Sequence, residues 1–365
     1  MKQPIEWDRR RFLQMAGSAS LWSAAGGRLG WAAPRPGTSG FAYIGAENAI
    51  HVYSISSETR FQKRQLVSSA QPVAMAISNG RLYVANGVTE YGNLPRGSVE
   101  AYAIDVKTGR LAFINRAALS LSGTSPRDLV VAPNGRSVVV AVHGGGAYNV
   151  LTLEEDGRLG RVSGILKEIG SGPHPLQAAA HPSAVMFDRE GRVLTADEGS
   201  DRLSVLVLTD GGLSVAGRWD LPAGSGPSNM VLHPDGRRVY VAHAFNGSVS
   251  SYSYGAGILD WKQTVWPGRK SEMAALTIHP SGEMLYSSNG NGVQAWAIAA
   301  NGGLERLPGI EGVRASKLHA TANGDTLLAL DSDAVVSMKI NAASRMLARP
   351  VKVASVSNPL TLAIL

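Results

Sequence analysis

The 365-residue sequence contains no cysteine and is poor in charged and aromatic residues, which make up 17% and 6% of the chain. The absence of cysteine excludes a disulfide scaffold, a zinc ribbon, an iron–sulfur cluster and a thiol nucleophile. After residue 33, no apolar run approaches the roughly 20 residues that a membrane-spanning helix requires. The hydrophobic fraction of 44% is nevertheless too high for a disordered chain, so we expect a folded protein with a large core.

The net charge of +7 is not concentrated in one basic stripe. Residues 1–32 contain five basic and two acidic residues, which leaves a net charge of +4 for the rest of the chain. The remaining basic residues lie mostly in turns, without the interleaved aromatic residues that accompany binding along a phosphate backbone. We therefore expect no nucleic acid partner.

The first 33 residues resemble a twin-arginine export signal. Residues 8–14 read DRRRFLQ and precede an apolar stretch rich in Gly, Ala and Ser over residues 15–33. An amphipathic helix of the domain is the alternative, but the apolar residues have no helical period and include Gly26 and Gly27. We predict processing near Ala32, a linker over residues 34–40, and delivery by the twin-arginine export machinery. The mature protein is then periplasmic or extracellular and has no membrane span.

The rest of the chain repeats a unit of two β-rich runs joined by a turn that contains glycine. A proline or polar residue leads the first run, and a second apolar or alternating run follows the turn. The spacings between successive turn glycines are 55, 56, 45, 46 and 42 residues. These glycines are Gly80, Gly135, Gly191, Gly236, Gly282 and Gly324. Such spacings are typical of the four-stranded blades of a β-propeller.

The two ends of the chain together supply one more repeat. Residues 358–365 have the pattern of a first run, but the chain ends before a second run. Residues 41–45 read like a second run, and residues 50–55 read like the strand that follows it. We therefore predict an all-β fold over residues 41–365, a seven-bladed β-propeller closed by N- and C-terminal strands in one blade. This closure protects sheet edges that would otherwise be exposed.

Three groups of segments have sequences that are typical of one protein family. They are residues 97–105 with 108–111, residues 197–203, and residues 224–227 with 232–236. They resemble the lactonase family of seven-bladed propellers, which includes a bacterial 6-phosphogluconolactonase and fungal muconate-lactonizing enzymes. The resemblance extends over roughly residues 40–365. It implies a hydrolase whose partner is a small-molecule lactone or sugar.

The candidate site lies at the mouth of the central channel. Loops that enter the innermost strands and loops that leave the second strands meet there, and ligand sites are commonly built in such a concave opening. Opening a lactone requires a base for water, a donor for the oxyanion and an acid for the departing alkoxide. We predict His181 and Glu198 as the catalytic residues. The predicted substrate-binding residues are Arg127, His143, Gln177, Asp197, Ser228, Asn229, His243 and Asn289.

Structural roles are the alternative for several of these residues. His181 precedes Pro182 and equally suits a cap on an innermost strand, and Asp197 suits a turn held by its own side chain. Glu198 is also consistent with a solvated loop residue. His143 precedes three glycines, which favour either a flexible turn or close approach of the backbone to a ligand.

Two functions remain open at this stage. The first is an exported lactonase-like hydrolase that opens a sugar lactone or a related cyclic ester. The second is a non-catalytic periplasmic propeller that binds a carbohydrate, a peptide or a partner protein at the channel mouth. The second rests on positions where the family resemblance implies arginine or carboxylate and this chain has Ser228, His243-Ala244, Ala275 or Gly290. We expect a monomer without a metal or other cofactor, because no spacing of His, Asp or Glu specifies a metal site.

Overall fold

The computed structural model describes residues 40–57, 60–210, 212–268 and 273–365. The predicted export signal and all of the predicted linker except Gly40 lie outside the described residues; Gly40 begins the first strand. The described residues form thirty β-strands and no helix. That part of the chain accordingly contains no helix long and apolar enough to cross a membrane.

The strands form seven antiparallel sheets, which are the blades. The N-terminal strands are β1 (Gly40–Ala46), β2 (Ala49–Ser57) and β3 (Arg60–Ser68). Blade 1 contains β4 (Pro72–Ser78), β5 (Arg81–Asn86), β6 (Ser98–Ile104) and β7 (Leu111–Ala118). Blade 2 contains β8 (Pro126–Val131), β9 (Ser137–Val142), β10 (Ala147–Leu153) and β11 (Leu159–Lys167). Blade 3 contains β12 (Pro182–Phe187), β13 (Arg192–Asp197), β14 (Arg202–Thr209) and β15 (Gly212–Asp220).

The remaining blades follow the same order. Blade 4 contains β16 (Pro227–Leu232), β17 (Arg238–His243), β18 (Val249–Gly255) and β19 (Ile258–Val265). Blade 5 contains β20 (Met273–Ile278), β21 (Met284–Asn289), β22 (Gly292–Ile298), β23 (Leu304–Arg306) and β24 (Ile310–Glu311). Blade 6 contains β25 (Lys317–Ala320), β26 (Thr326–Asp331), β27 (Ala334–Asn341), β28 (Met346–Leu347) and β29 (Val351–Ser355). Blade 7 combines β30 (Pro359–Ile364) with β1, β2 and β3.

Closure of the ring at blade 7 confirms the prediction from the two chain ends. Strand β30 pairs antiparallel with β1, with Tyr43 opposite Ala363 and Ile44 opposite Leu362. Two further backbone hydrogen bonds join Phe41 and Leu365, at 3.0 and 2.9 Å. The first strand of each blade contacts the first strand of the next, from β4 through β30 and back to β4, and these seven strands surround the channel.

The hydrophobic core lies between the blades. Seven clusters of buried residues each combine side chains of two neighbouring blades. The cluster between blades 4 and 5, for example, contains Tyr240, Val249, Leu276, Leu285 and Trp296. Because every strand alternates its side chains between two faces, each blade contributes to two clusters. Each blade therefore depends on both neighbours for burial of its apolar surface.

Tyrosine hydroxyls also join neighbouring blades. The hydroxyls of Tyr43, Tyr83 and Tyr240 donate to the carbonyls of glycines in the turn before the outer strand of the next blade, at 3.0, 3.1 and 3.3 Å. The acceptors are Gly109, Gly157 and Gly302, which have φ values of 71°, 86° and 86°. Glycine adopts this left-handed conformation without the steric penalty that other residues pay.

Histidines make a second inter-blade contact on the face away from the predicted mouth. His233 Nε2 lies 2.9 Å from the carbonyl of Gly282, and His279 Nε2 lies 2.8 Å from the carbonyl of Gly324. His279 Nδ1 accepts the backbone N–H of Ser281, so the neutral His279 ring donates from Nε2. His233 Nδ1 lies 2.8 Å from the carboxylate of Asp235. All six repeat glycines used to count the blades, Gly282 and Gly324 among them, have positive φ.

The inter-blade hydrogen bond of the Tyr240 hydroxyl should contribute measurably to the free energy of unfolding. We expect Tyr240→Phe to lower the free energy of unfolding by roughly 1 kcal/mol, because the ring stays packed and one inter-blade hydrogen bond is lost. Urea denaturation of the two proteins measures this difference. Tyr286→Phe is the matched control, since the Tyr286 ring is equally buried but its hydroxyl contacts only Met284 Sδ, at 3.5 Å. Equal losses in both variants would contradict the proposed role of the inter-blade bond.

Candidate active site

The channel mouth is shaped by a recurrent bulge near the start of the innermost strands. In six blades, one residue is skipped in the pairing between the first strand and the second, directly after the strand's first residue. Such bulges bend a strand and redirect a side chain. The skipped residues are Val73, Arg127, Ser183, Ser228, Ala274 and Leu360.

Two histidines stack on each other at this mouth. His143 follows the second strand of blade 2, and His181 precedes the first strand of blade 3. Their ring centroids are 4.4 Å apart, and the ring planes differ by 13°. The fold therefore brings together two residues that are 38 positions apart in the sequence.

A backbone contact fixes the protonation pattern of the neutral His181 ring. Its Nδ1 lies 3.0 Å from the carbonyl oxygen of His143, which can only accept a hydrogen bond. Nδ1 therefore carries the proton, and Nε2 keeps a free lone pair. The edge at Cδ2 packs against Gly199, where an added Cβ would lie 2.8 Å from Cδ2. Nε2 makes no hydrogen bond within the described chain and remains available to a ligand.

Glu198 completes this group of side chains. Its Oε1 lies 3.8 Å from His143 Nε2, and the two side chains are 14% and 19% exposed. This separation allows an ion pair when His143 is protonated. His143 Nε2 is buried and has no hydrogen-bond partner among the described residues. The nitrogen therefore faces the carboxylate, and a substrate must displace this contact to reach it.

Asp197 holds the backbone that carries His181 and Glu198. Its Oδ1 accepts the backbone N–H groups of His181, Gly199 and Ser200 at 2.8, 2.9 and 3.0 Å. Burial raises the pKa of Asp197, and the three backbone donors act in the opposite direction. Its second oxygen, Oδ2, is buried without a partner in the described structure. This geometry matches the structural role that the sequence left open for Asp197.

Gln177 lies under the same loops and is fully buried. Its Nε2 donates to the carbonyl of Glu198 at 2.7 Å, and its Oε1 accepts the N–H of His174 at 3.1 Å. The amide therefore links the segment that enters blade 3 to the loop that carries Glu198. Both ends of the side chain are engaged in this link, so Gln177 positions Glu198.

The glycines after His143 allow the loops to approach closely. The N–H of Gly144 donates to the carbonyl of Thr124 at 3.0 Å. A Cβ at Gly144 would lie 2.3 Å from Thr124 Oγ1, a separation that a side chain cannot adopt without displacing its neighbour. The sequence 143–146 is therefore a packed turn that holds His143, rather than a flexible one.

Comparison with known proteins agrees with this architecture. A family described as "Lactonase, 7-bladed beta-propeller" matches residues 39–364. The chain belongs to this lactonase family.

Relatives of the lactonase propeller include curated enzymes and solved structures. The 6-phosphogluconolactonase of Bacillus subtilis is 31% identical over 160 residues, which are 44% of this chain and 45% of that protein. The aligned part thus covers a little under half of that relative. The structure of a putative 6-phosphogluconolactonase from Bacteroides fragilis has a TM-score of 0.83 at 23% identity, covering 90% of this chain and 98% of that one. A periplasmic gluconolactonase of Pseudomonas aeruginosa has a TM-score of 0.83 at 21% identity, covering 90% and 99%. At these identities the two structures show a shared fold.

The other predicted residues of the lactonase propeller lie around the mouth but outside the histidine pair. Arg127 is exposed on its bulge and makes no hydrogen bond or ion pair within the described chain. Ser228 donates to the carbonyl of Ala242 at 3.3 Å. Asn229 is half-buried at the start of β16. Asn289 is buried, and its Oδ1 accepts backbone N–H groups from its own turn. Their roles in substrate binding remain predictions.

His243 is buried inside blade 4. It is 2% exposed, and its Nε2 lies 2.8 Å from Ser250 Oγ, while Nδ1 is buried without a partner in the described chain. Burial lowers the pKa of His243 to about 4. The structure thus places a neutral imidazole between strands of the lactonase propeller, away from the stacked pair.

The structure also brings together mouth and channel residues that the sequence analysis did not select. His174 stacks on Phe245, with ring centroids 4.0 Å apart and an interplanar angle of 11°, and joins the loops of blades 3 and 4. Asp128 accepts the N–H of Val185 at 3.0 Å on the neighbouring innermost strand. Burial raises the pKa of Asp128, whereas the charge of Lys317 in blade 6 acts in the opposite direction. The signal for Asp128 was a carboxylate that follows Arg127 and precedes an apolar run in the same strand. His174 and Phe245 share no sequence pattern.

The lowered pKa of His243 predicts a pH-dependent stability. Between pH 6.5 and pH 4, the unfolded chain binds a proton at His243 that the folded protein does not bind. The free energy of unfolding should therefore fall as the pH is lowered through this window, by an amount on the order of 3 kcal/mol for this residue.

His243→Gln removes the titrating group and keeps a side chain able to hydrogen-bond Ser250. We expect the variant to lose less stability than the parent protein between pH 7 and pH 4, as measured by urea denaturation at several pH values. Parallel pH profiles for the two proteins would contradict the assignment of this proton uptake to His243.

Proposed function

We propose that this protein is an exported lactonase that hydrolyses a sugar lactone or a related cyclic ester at the channel mouth. The observation that carries the proposal is the pairing of His181, whose Nε2 lone pair is free, with His143, whose Nε2 faces the carboxylate of Glu198. One ring is thereby suited to accept a proton and the other to donate one. Membership of the lactonase family supports the same reaction class.

In the proposed reaction, His181 is the general base. Its Nε2 takes a proton from water as the water oxygen attacks the lactone carbonyl carbon. The carbonyl π bond breaks, and its electron pair forms the oxyanion of a tetrahedral intermediate. The carbonyl oxygen of His143 accepts a hydrogen bond from His181 Nδ1–H. The His181 ring is therefore held in the tautomer that exposes a basic Nε2.

His143 and Glu198 serve the second half of the reaction. Protonated His143, with Glu198 Oε1 at 3.8 Å, donates a hydrogen bond to the oxyanion. The carbonyl then re-forms and the ring C–O bond breaks. The alkoxide takes the proton held by His181, and the product is a hydroxy acid whose carboxyl group ionises near neutral pH. Each turnover therefore releases one proton to solution.

An unphosphorylated sugar lactone fits the site better than a phosphorylated one. Within the described chain, the hydrogen bonds and ion pairs of the His143, Gln177, His181 and Glu198 side chains involve no arginine or lysine. A phosphate group is usually bound by such cations. The relatives are named for both an unphosphorylated and a phosphorylated lactone, since one is a periplasmic gluconolactonase and others are 6-phosphogluconolactonases.

Hydrolysis of a panel of aldonolactones by the mature protein, followed in a pH-stat, tests the proposal. We expect turnover that resists a chelator and falls by about 100-fold or more in His181→Ala, because a general base contributes that much. His51→Ala is the control, since His51 lies on β2 of blade 7. Both variants should unfold at the same midpoint urea concentration as the parent protein.

Two results would overturn the proposal. Unchanged turnover in His181→Ala would remove His181 from the reaction. An absence of turnover on every lactone in the folded parent protein would instead indicate a periplasmic propeller that binds a carbohydrate, peptide or protein at the same mouth.

We also propose export through the twin-arginine machinery and a monomeric mature protein. The support for export is the DRRRFLQ sequence at residues 8–14 with the apolar stretch that follows. The monomer is supported by the ring, whose seven sheets are completed within one chain. Replacement of both Arg9 and Arg10 by lysine should abolish recovery of the protein in the periplasmic fraction. Undiminished periplasmic recovery would contradict this route.

A further inference from the structure

A groove separates the outer parts of blades 1 and 2, and none of the four side chains of the histidine group lines it. It has a volume of about 800 Å³ and runs between strands β7 and β11. Its apolar lining includes Ala117, Leu119, Leu121, Val162 and Ile165. Leu121 is 65% exposed and Ile165 is 57% exposed, so the groove presents aliphatic surface to solvent.

Four basic residues line the groove, and no carboxylate does: Arg96, Arg116, Arg161 and Lys167. Arg116 forms an ion pair with buried Glu100, so its charge is compensated. The other three form no ion pair within the described chain. Arg96 donates only to the carbonyl of Tyr91, at 3.4 Å, and Lys167 only to the carbonyl of Gly145. The groove therefore carries an uncompensated positive charge.

A buried amide group with an unpartnered donor lies beside the groove without lining it. Asn149 is fully buried on β10, directly opposite Ile165, and its neighbour Ala147 is opposite Lys167. Its Oδ1 accepts the N–H of Ser120, which lines the groove, at 2.9 Å. Its Nδ2 is buried and unpartnered in the described structure. An unpaired buried donor is unfavourable, and a ligand oxygen that reached it would remove that penalty.

We propose that this groove binds an anionic amphiphile, a molecule with a carboxylate or similar anionic head and an aliphatic chain. The head lies between Arg96 and Lys167, and the chain lies along Leu121, Val162 and Ile165. A purely apolar ligand would leave the cations unused, and a hydrophilic polyanion would leave the aliphatic surface exposed. Only a ligand with both parts complements both features.

The groove has room for an extended chain. Arg161 and Lys167 lie near the two ends of β11 and are six residues apart, so they are separated by roughly 20 Å along the strand. Ile165 lies between them on the same strand and lines the groove. The ligand is thus expected to contact Lys167 through its head and β11 through its chain.

Calorimetric titration with dodecanoate below its micelle concentration tests the site. We expect saturable binding at one site per chain, at least tenfold weaker binding of octanoate, and no binding of dodecyltrimethylammonium. Lys167→Gln and Arg96→Gln should each weaken dodecanoate binding by about tenfold, because each removes one charge-assisted contact. Lys262→Gln, an exposed lysine paired with Asp260 on blade 4, is the matched control and should not change the affinity.

Several outcomes would overturn the proposal. Equal binding of the cationic and anionic probes would indicate an unspecific apolar surface. Unchanged affinity in both Lys167→Gln and Arg96→Gln would place dodecanoate elsewhere. Binding of an acidic oligosaccharide but not of dodecanoate, weakened equally by Arg96→Gln, Arg161→Gln and Lys167→Gln, would indicate a site for a hydrophilic polyanion. The measurement is independent of lactonase activity.

Discussion

Burial of apolar surface between neighbouring blades is the constraint on which the rest of the structure depends. No blade has a core of its own, because each alternating strand places half of its side chains against the blade before and half against the blade after. Such an arrangement is complete only when the first and last blades also meet. The pairing of β30 with β1 completes blade 7, which then packs against blade 1 and closes the ring. Hydrogen bonds such as Tyr240 to Gly302 fix how neighbouring blades align.

The candidate active site uses the rigidity of this ring. His143 and His181 belong to different blades, so their stacking depends on the contact between blades 2 and 3. The polar residues around them divide into two groups. Asp197 and Gln177 make their hydrogen bonds with backbone groups and hold the loops in place. The His181 Nε2 and the Glu198 carboxylate keep their capacity to interact with a substrate. Residues that position and residues that react are thus adjacent but distinct.

The groove between blades 1 and 2 is connected to this site through the loop that carries His143. Lys167 contributes to the positive charge of the groove and also donates to the carbonyl of Gly145, two residues after His143. An anion bound at Lys167 would compete for this ammonium group. The outer parts of two blades therefore provide a second surface, cationic and aliphatic, that is distinct from the polar mouth with its histidines and Glu198.

The sequence by itself determined the number of blades, their strand order and the closure in blade 7, because turn glycines and alternating runs are local features that recur along the chain. It also indicated His143, His181 and Glu198, since each is a polar residue that borders a strand, and Gln177, which lies in the segment that enters blade 3. Only the tertiary structure decided which polar residues meet. Bulges at the innermost strands and contacts between blades bring His143 onto His181, bury His243 inside blade 4 and bring His174 onto Phe245. The two stacked pairs join residues from separate repeats, and the burial of His243 depends on packing within its blade. No local pattern in the chain encodes these relations.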